Sequence, residues 1–538
     1  MVDSDLEPEP NAPAQRRDRL ILGLVLAAAC LSAWWVWRRD VVVFDDAYIS
    51  FRYAQNLVAG HGLVFNPGER VEGYSNFLWV LLAALALRLG LDPLAASRFV
   101  GLGAHLAVLA VAGAILLHAA RRLRPRDLAL LGLAVALVAP HGLLAVAGCG
   151  LETSAAGLAL LLVGYFHHVS PPAGPSTRLL AALAPLAAVL LRLDSLLAVA
   201  VSAGVLFAER SSADRRPARA LAFVLARFAP TAVGLAAWIA WKLRYYGELL
   251  PNTYWAKAAD QLSFGPGARY LVAYLIDSPQ VLALLPAAVA ALFLAWRTPH
   301  RWFALWAAGT LLLHVAYVAK VGGDFMYYRF MFELYPTFVC LAGLGAVLLL
   351  RSRALALGLA TPLLAAGLSF TPPHLEKTYG MQSLEEMDRY ARLGRRVGER
   401  LREVLPPGTL VSTTLIGTIG YYSGLPIVDQ WGLVDPVTAR KPGRDLTYRG
   451  HAKPALKPYL RERGVRLCLD HPTVTDCRRV APGPYSGVYV HLSPGECLRA
   501  WYLTEDPELT ALFRAHPNDF LLLDADETVL PPGSRARR

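Results

Sequence analysis

The stretch Phe44-Asp45-Asp46-Ala47-Tyr48 decides how this chain is read. Two adjacent acids stand just past an apolar run, Leu20 to Trp37, that is long enough to cross a bilayer. Acids at a membrane edge cost free energy to desolvate, so they are kept there for a partner or a task. They head a polar, glycine-punctuated segment that continues to Asn76. The outer loop 38–97 is therefore the first place to look for chemistry.

Outward from that stretch, the composition sets the class. The chain has 538 residues, of which 55% are hydrophobic and only 17% charged. A mean hydropathy of +0.38 marks a polytopic membrane protein. Apolar windows recur from Leu20 to about Phe370 and then stop. The reading is a cytoplasmic tail, 1–19, a transmembrane domain, 20–370, and an extracytoplasmic domain of ordinary soluble composition, 371–538. The first apolar run lacks a small-residue cleavage site before Trp34-Trp35 and is expected to stay as a span. The tails 1–15 and 531–538 read as disordered. The net charge of +12 does not imply nucleic acid, because its arginines crowd into short loops such as Arg121–Arg126 and Arg215-Arg216. That is the positive-inside pattern.

About eleven spans are expected: 20–37, 98–119, 128–147, 152–168, 179–193, 195–208, 228–243, 279–296, 302–319, 330–350 and 353–370. Residues 76–91 are apolar too. Reading them as a helix at the membrane interface puts every Arg-rich loop on one side. The acid pair, residues 244–278, residues 320–329 and the C-terminal domain then lie on the other, outer side, in a bacterial cytoplasmic membrane.

The C-terminal domain alternates one amphipathic helix, Ser383 to Leu405, with β-like runs at 409–414, 424–429, 466–470 and 487–492. It is expected to be a small α/β domain. In an extracytoplasmic domain a Cys468–Cys477 disulfide is plausible, with Cys497 left over. Cys30, Cys149 and Cys340 lie in apolar surroundings and read as small hydrophobes.

Four outer clusters collect acids, cations and aromatics. Asp45 through Gly60 forms an amphipathic helix, carrying Arg52, whose start one of the two acids caps. His61 through Asn76 contains an Asn-Pro-Gly turn and offers Glu69 and Glu72, which bind a sugar or cation or else pair with Arg70. Arg244 through Lys257 presents Asn252 and Lys257 among aromatics. Lys320 through Arg329 sets Asp324 and Arg329 beside Gly322-Gly323, where an internal salt bridge is the simpler alternative. Arg192 at a span end needs a partner, either Asp194 or a lipid phosphate. Glu152 starts a span as a helix cap or as a further polar contact. No Walker loop, HExxH or GxSxG is present.

These residues resemble the GT-C glycosyltransferases, and among them the terminal β-(1→2) arabinofuranosyltransferases of bacterial cell walls. The likeness rests on Asp45-Asp46, Val64-Phe65-Asn66, Gly68-Glu69-Arg70-Val71-Glu72, Gly150-Leu151-Glu152 and Tyr245-Tyr246-Gly247. It continues in Gly322-Gly323-Asp324-Phe325-Met326 with Arg329, and in Asp429-Gln430 with Gly432-Leu433-Val434. The resemblance implies a polytopic helical GT-C domain that moves a sugar from a polyprenyl-phosphate donor to a glycan, glycolipid or protein on the outer face. It implies Asp45 or Asp46 as general base, with Asp45 favoured. Donor contacts would come from Arg52, Glu69, Glu72, Arg192, Lys257, Asp324 and Arg329. Acceptor contacts would come from Asn252, Asp429, Gln430 and Trp431. No metal is required, since the leaving group is already a phosphate; a divalent cation held by Asp45, Asp46 or Glu69 is the alternative. A transporter or flippase of lipid-linked sugar is the rival class. Such proteins commonly carry repeated halves and mid-membrane charges, which this sequence does not display.

Overall fold

A computed structural model describes residues 42–119, 146–257, 264–349, 382–441, 454–479, 487–502 and 506–523, with a few isolated positions besides. The expected span 353–370, most of 20–37, nearly all of 128–147, the basic clusters 121–126 and 351–353, Cys30 and both tails lie outside the described residues.

Most helices of the membrane domain fall on the apolar windows, but Pro217–Tyr246 starts well before the expected 228, and Phe264–Asp277 lies in the stretch 244–278 expected as an outer loop. The helices are α1 Asp45–Val58, α2 Phe77–Arg88, α3 Pro93–Ala119, α4 Thr153–His168, α5 Pro175–Leu191, α6 Leu196–Asp214 and α7 Pro217–Tyr246. After the short α8 Asn252–Ala256 come α9 Phe264–Asp277, α10 Pro279–Leu294, α11 Arg301–Val321, α12 Arg329–Phe332 and α13 Tyr335–Leu349. Proline starts α5, α7 and α10, where its missing N–H costs nothing. Gly247 and Gly322, both left-handed, end α7 and α11. Among the described residues, five helical segments, beginning at Pro93, Leu193, Pro217, Pro279 and Arg301, are long and apolar enough to cross a bilayer. The protein is a multi-pass membrane protein. Close helix crossings use small residues, as membrane packing requires. A Cβ on Gly345 of α13 would collide with the Ala287 carbonyl oxygen of α10.

The C-terminal domain is α/β, as expected. Its first helix, α14 Leu384–Val404, is capped by Ser383, whose hydroxyl accepts from Glu386 N at 3.0 Å. A six-stranded sheet follows in the order β2-β1-β3-β5-β4-β6. Its strands are β1 Val411–Thr413, β2 Ile427–Asp429, β3 Leu467–Asp476, β4 Gly487–Ser493, β5 Glu496–Trp501 and β6 Phe520–Leu523. Strands β2, β1 and β3 run parallel, with α15 Ile416–Ser423 crossing between β1 and β2, and the rest is antiparallel. The expected Cys468–Cys477 bridge is corrected. The disulfide joins Cys477 to Cys497, and Cys468, buried on β3, is outside it. The end of β3 and β5 are paired neighbours, which brings Cys477 and Cys497 together. Cys468 sits at the other end of the same strand.

The helix α1 is not the one-sided amphipathic helix expected. Nine of its residues, from Ala47 to Asn56, are buried. One continuous apolar core runs from Tyr48 and Phe51 of α1 to Ile416 and Ile419 of α15. The helix lies between the two domains and has no large solvent face.

Candidate active site

The two acids of α1 point to different neighbours. Neither caps α1 by a side-chain bond; Phe44 is the N-cap residue, and both acids sit in the first turn, where the helix dipole favours them. Asp45 turns toward the start of α15. Its carboxylate accepts from Gly417 N at 2.9 Å, Thr418 N at 2.8 Å and the Thr418 hydroxyl at 2.5 Å. It is a helix cap after all, for a helix 372 residues away. A Cβ on Gly417 would collide with the Asp45 carbonyl oxygen, so only glycine lets these two helix starts meet. Burial pushes the Asp45 carboxyl up to about 6, against the lowering effect of these bonds.

Asp46 turns the other way. Its Oδ2 accepts from Arg329 Nη1 at 2.8 Å, and its side chain keeps 27% of its exposure. Arg329 also pairs through Nε with Asp324. The alternative noted for Asp324 and Arg329, an internal salt bridge, is thus present, and it extends to Asp46. The two acids hold Arg329 firmly in its charged form.

Asp46 lines a cavity of about 400 Å³. Four carboxylates line it, Asp46, Glu152, Asp194 and Asp324, with three cations, Arg192, Lys257 and Arg329. Arg192 is fully engaged. It makes two hydrogen bonds to Asp194, of 3.1 and 2.6 Å, and its Nε lies 2.5 Å from Glu333. Glu152 stands 3.7 Å away and receives Asn76 Nδ2 at 2.8 Å. Lys257 differs. Among the described residues no carboxylate reaches its ammonium at ion-pair distance. Its pKa is lowered, first by burial and then by nearby Arg329.

A second, smaller cavity of about 80 Å³ lies between the domains and includes Asp429 and Trp431. Asp46, Ile49, Lys257 and Leu433 line both cavities. Asp429 accepts from the backbone N–H groups of Trp431 and Val434, and burial pushes its carboxyl up to about 7.

Several expected site residues lie elsewhere. Arg52 donates to the carbonyls of Phe65 and Gly424 and to Gln55, and so ties α1 to the loop and to the C-terminal domain. Glu69 pairs with Arg463 and receives Asn66 Nδ2. Glu72 pairs with Lys242 at 2.6 Å, and burial still pushes its carboxyl up to about 7. Arg70 stacks on Tyr245 instead of pairing with either glutamate. Asn252 donates to the carbonyls of Gly432 and Leu433, and Gln430 to that of Leu469; neither lines either of these two cavities. Buried ion pairs and outward-facing ligand residues use the same residue types, which is why the sequence does not separate them.

Asp45, Asp46 and Glu69 each face a different partner: the start of α15, Arg329 and Arg463. Among the described residues, the carboxylates that do converge near the cavity are Asp194 and Glu333, with His314. Arg192 already supplies positive charge there. Sequence reasoning misses Glu333 and His314 because they lie inside apparently continuous apolar windows. An acid in a span is itself the available signal.

Residues 382–517 match a domain of unknown function, DUF8728. The chain is 30% identical over 360 residues to a terminal β-(1→2)-arabinofuranosyltransferase of Mycobacterium tuberculosis, over 60% of this chain and 55% of that protein. It is 25% identical over 364 residues to the protein of the same name from Corynebacterium glutamicum, over 60% and 50%. The chain spans about half the length of these curated relatives. In three dimensions it is similar to ArnT from Cupriavidus metallidurans bound to undecaprenyl phosphate, with TM-score 0.53 and 14% identity over 89% of this chain and 97% of that one. The apo state of the same protein gives TM-score 0.52 at the same identity and coverage. The fold is of the GT-C type, and the sequence resembles the arabinofuranosyltransferases.

Proposed function

We propose that this GT-C-fold chain is a membrane glycosyltransferase that moves a sugar, arabinofuranose by likeness to its relatives, from a polyprenyl-phosphate donor to a surface glycan. The observation that carries the reading is the position of Asp46, which stands where the two cavities meet and is held by Arg329. ArnT, a protein of the same fold, binds undecaprenyl phosphate, and this supports a polyprenyl-phosphate donor here.

The donor's phosphate and sugar occupy the larger cavity, with the prenyl tail in the membrane. Asp46 takes the proton of the acceptor hydroxyl as that oxygen attacks the anomeric carbon. The bond from the anomeric carbon to the phosphate oxygen breaks, its electron pair stays with that oxygen, and polyprenyl phosphate departs. Lys257 meets the developing phosphate charge, because the charges of Arg192 and Arg329 are already taken up by carboxylates. The base is assigned to Asp46 rather than Asp45, since both oxygens of Asp45 are spent on α15. No step needs a divalent cation. The site faces the extracytoplasmic side; short basic loops on the opposite side and a disulfide in the C-terminal domain support this orientation.

The test is release of polyprenyl phosphate and labelled product from a radiolabelled polyprenyl-phosphate arabinofuranose by the purified protein and membrane extract. Loss of transfer in Asp46→Asn, with unchanged folding, is the expected result. Full activity in that variant removes Asp46 as the base, and no turnover of any polyprenyl-phosphate sugar returns the transporter reading.

A further inference from the structure

We infer that reducing the Cys477–Cys497 disulfide turns this corner of the C-terminal domain into a zinc site, with the two cysteine thiolates and the imidazole of His491 as ligands. None of the three residues lines either cavity, so the inference stands apart from the glycosyltransferase reading.

Three observations carry it. The first is convergence. His491 Nδ1 lies 3.6 Å from Cys477 Sγ and 3.7 Å from Cys497 Sγ. The three ligand atoms all lie within 4.8 Å of one another. Thiolate sulfur and imidazole nitrogen suit zinc, whereas calcium and magnesium take oxygen ligands.

The second is fit. With Zn–S bonds of about 2.3 Å and a Zn–N bond of about 2.0 Å, a tetrahedral ion holds sulfur about 3.5 Å from nitrogen and about 3.8 Å from the other sulfur. The imidazole already stands close to the first of these distances from both sulfurs. Only the two sulfurs must part, and breaking the bond between them allows it.

The third is the scaffold. Backbone pairing, independent of the disulfide, places each ligand. His491 and Cys497 are cross-strand neighbours in the β4–β5 ladder. Cys477 directly follows β3, which pairs with β5, and its N–H donates to the Gly495 carbonyl at 2.9 Å. The His491 N–H donates to the Asp519 carbonyl at 2.8 Å. These bonds remain when the disulfide is cut, so the three side chains stay together. Tyr489 and Leu521 pack against the cysteines, whereas His491 is half-buried and leaves a side open for the ion and for water as fourth ligand.

The steps balance. A dithiol gives up two electrons and two protons and closes to its own disulfide. The Cys477–Cys497 bond breaks, and each sulfur becomes a thiol. Zinc then replaces both thiol protons, which pass to solvent, and two Zn–S bonds and one Zn–N bond form. The disulfide joins the end of β3 to β5. The zinc clasp joins the same two and adds β4 through His491.

The test uses purified full-length protein in detergent, either oxidised or reduced with dithiothreitol and then freed of it under argon. Zinc is titrated in competition with a chromophoric chelator. The reduced protein is expected to bind one equivalent more than the oxidised protein. Cysteines outside the disulfide are common to both states and cancel in that difference. In reduced His491→Ala the zinc affinity is expected to fall by roughly tenfold or more, with loss of one ligand. The oxidised form of that variant keeps its disulfide, and an unfolding midpoint equal to the wild type's shows that the fold survives the change. Equal zinc binding by reduced and oxidised wild type, a comparison that needs no variant, overturns the inference. So does unchanged affinity in reduced His491→Ala. Neither result bears on sugar transfer, which is read in its own assay.

Discussion

Asp45 and Asp46 are neighbours in sequence and opposites in the fold. One faces α15 and spends its carboxylate on three donors of the C-terminal domain. The other faces the junction of two cavities and is held by Arg329. Successive residues on a helix are about 100° apart, so a pair of identical side chains can be divided between two walls. One acid then ties α1 to the C-terminal domain, and the other stands at the junction of the two cavities, where the proposed function places the base. The same division recurs among the cations. Arg192 is locked among carboxylates and serves architecture, whereas Lys257 faces both cavities without such a lock.

The largest expected effect separates the acids directly. Asp46→Asn should lower kcat by about 10²- to 10⁴-fold, the usual worth of a general base, with thermal stability little changed. Asp45→Asn should cost far less in kcat. If the two variants were equally impaired in kcat at equal stability, the division would fail. Next in size is Arg192→Ala. It leaves buried Asp194 and Glu333 uncompensated, and should destabilise the protein by about 3–5 kcal/mol, read as a lowered unfolding midpoint in detergent. Lys257→Ala should instead keep the fold and weaken donor binding by roughly 10- to 100-fold, on the scale of one lost charged hydrogen bond of about 1.5–3 kcal/mol. Normal donor binding by Lys257→Ala would return the phosphate role to Arg192 or Arg329.

Smaller still is the cap. Asp45→Ala should cost about 0.5–2 kcal/mol, as a helix cap does, and should loosen the C-terminal domain in proteolysis before the rest of the chain. The smallest effect is on pH. Asp45 is raised from its ordinary 3.8 to about 6, so the folded state holds its proton more tightly than the unfolded one. Its contribution to stability is full below about pH 4 and is lost as pH rises through about 6. The unfolding midpoint of the wild type should fall across that window more than that of Asp45→Asn. Parallel curves would show that Asp45 does not titrate there.

Much of this is legible in one dimension. Helices α3 to α7, α10, α11 and α13 declare themselves as apolar windows, several with proline starts or glycine stops. Strands β1 to β4 show as short β-branched runs between turn residues. The acid pair, Lys257, Asp324 and Arg329 stand out because charge beside apolar sequence is expensive. Strands β5 and β6 escape notice although Pro494-Gly495 and Pro517-Asn518 precede them, since neither Glu496–Trp501 nor Phe520–Leu523 contains a β-branched residue. Nearness in sequence favours the wrong cysteine pair, whereas strand pairing decides the right one.

The sequence by itself determined that the chain is a membrane domain followed by an α/β domain, and it marked the loops rich in acids and aromatics as the place to look for a site. Hydrophobic periodicity and charge are local properties, and they survive without coordinates. Tertiary structure alone decided which charged groups are spent on one another. Glu69, Glu72 and Arg192 carry the same charges as the residues at the cavity junction, but partners as far as 394 positions away have claimed them. A residue's type is fixed by the sequence, but its charge state and its availability are set by whatever the fold brings within reach.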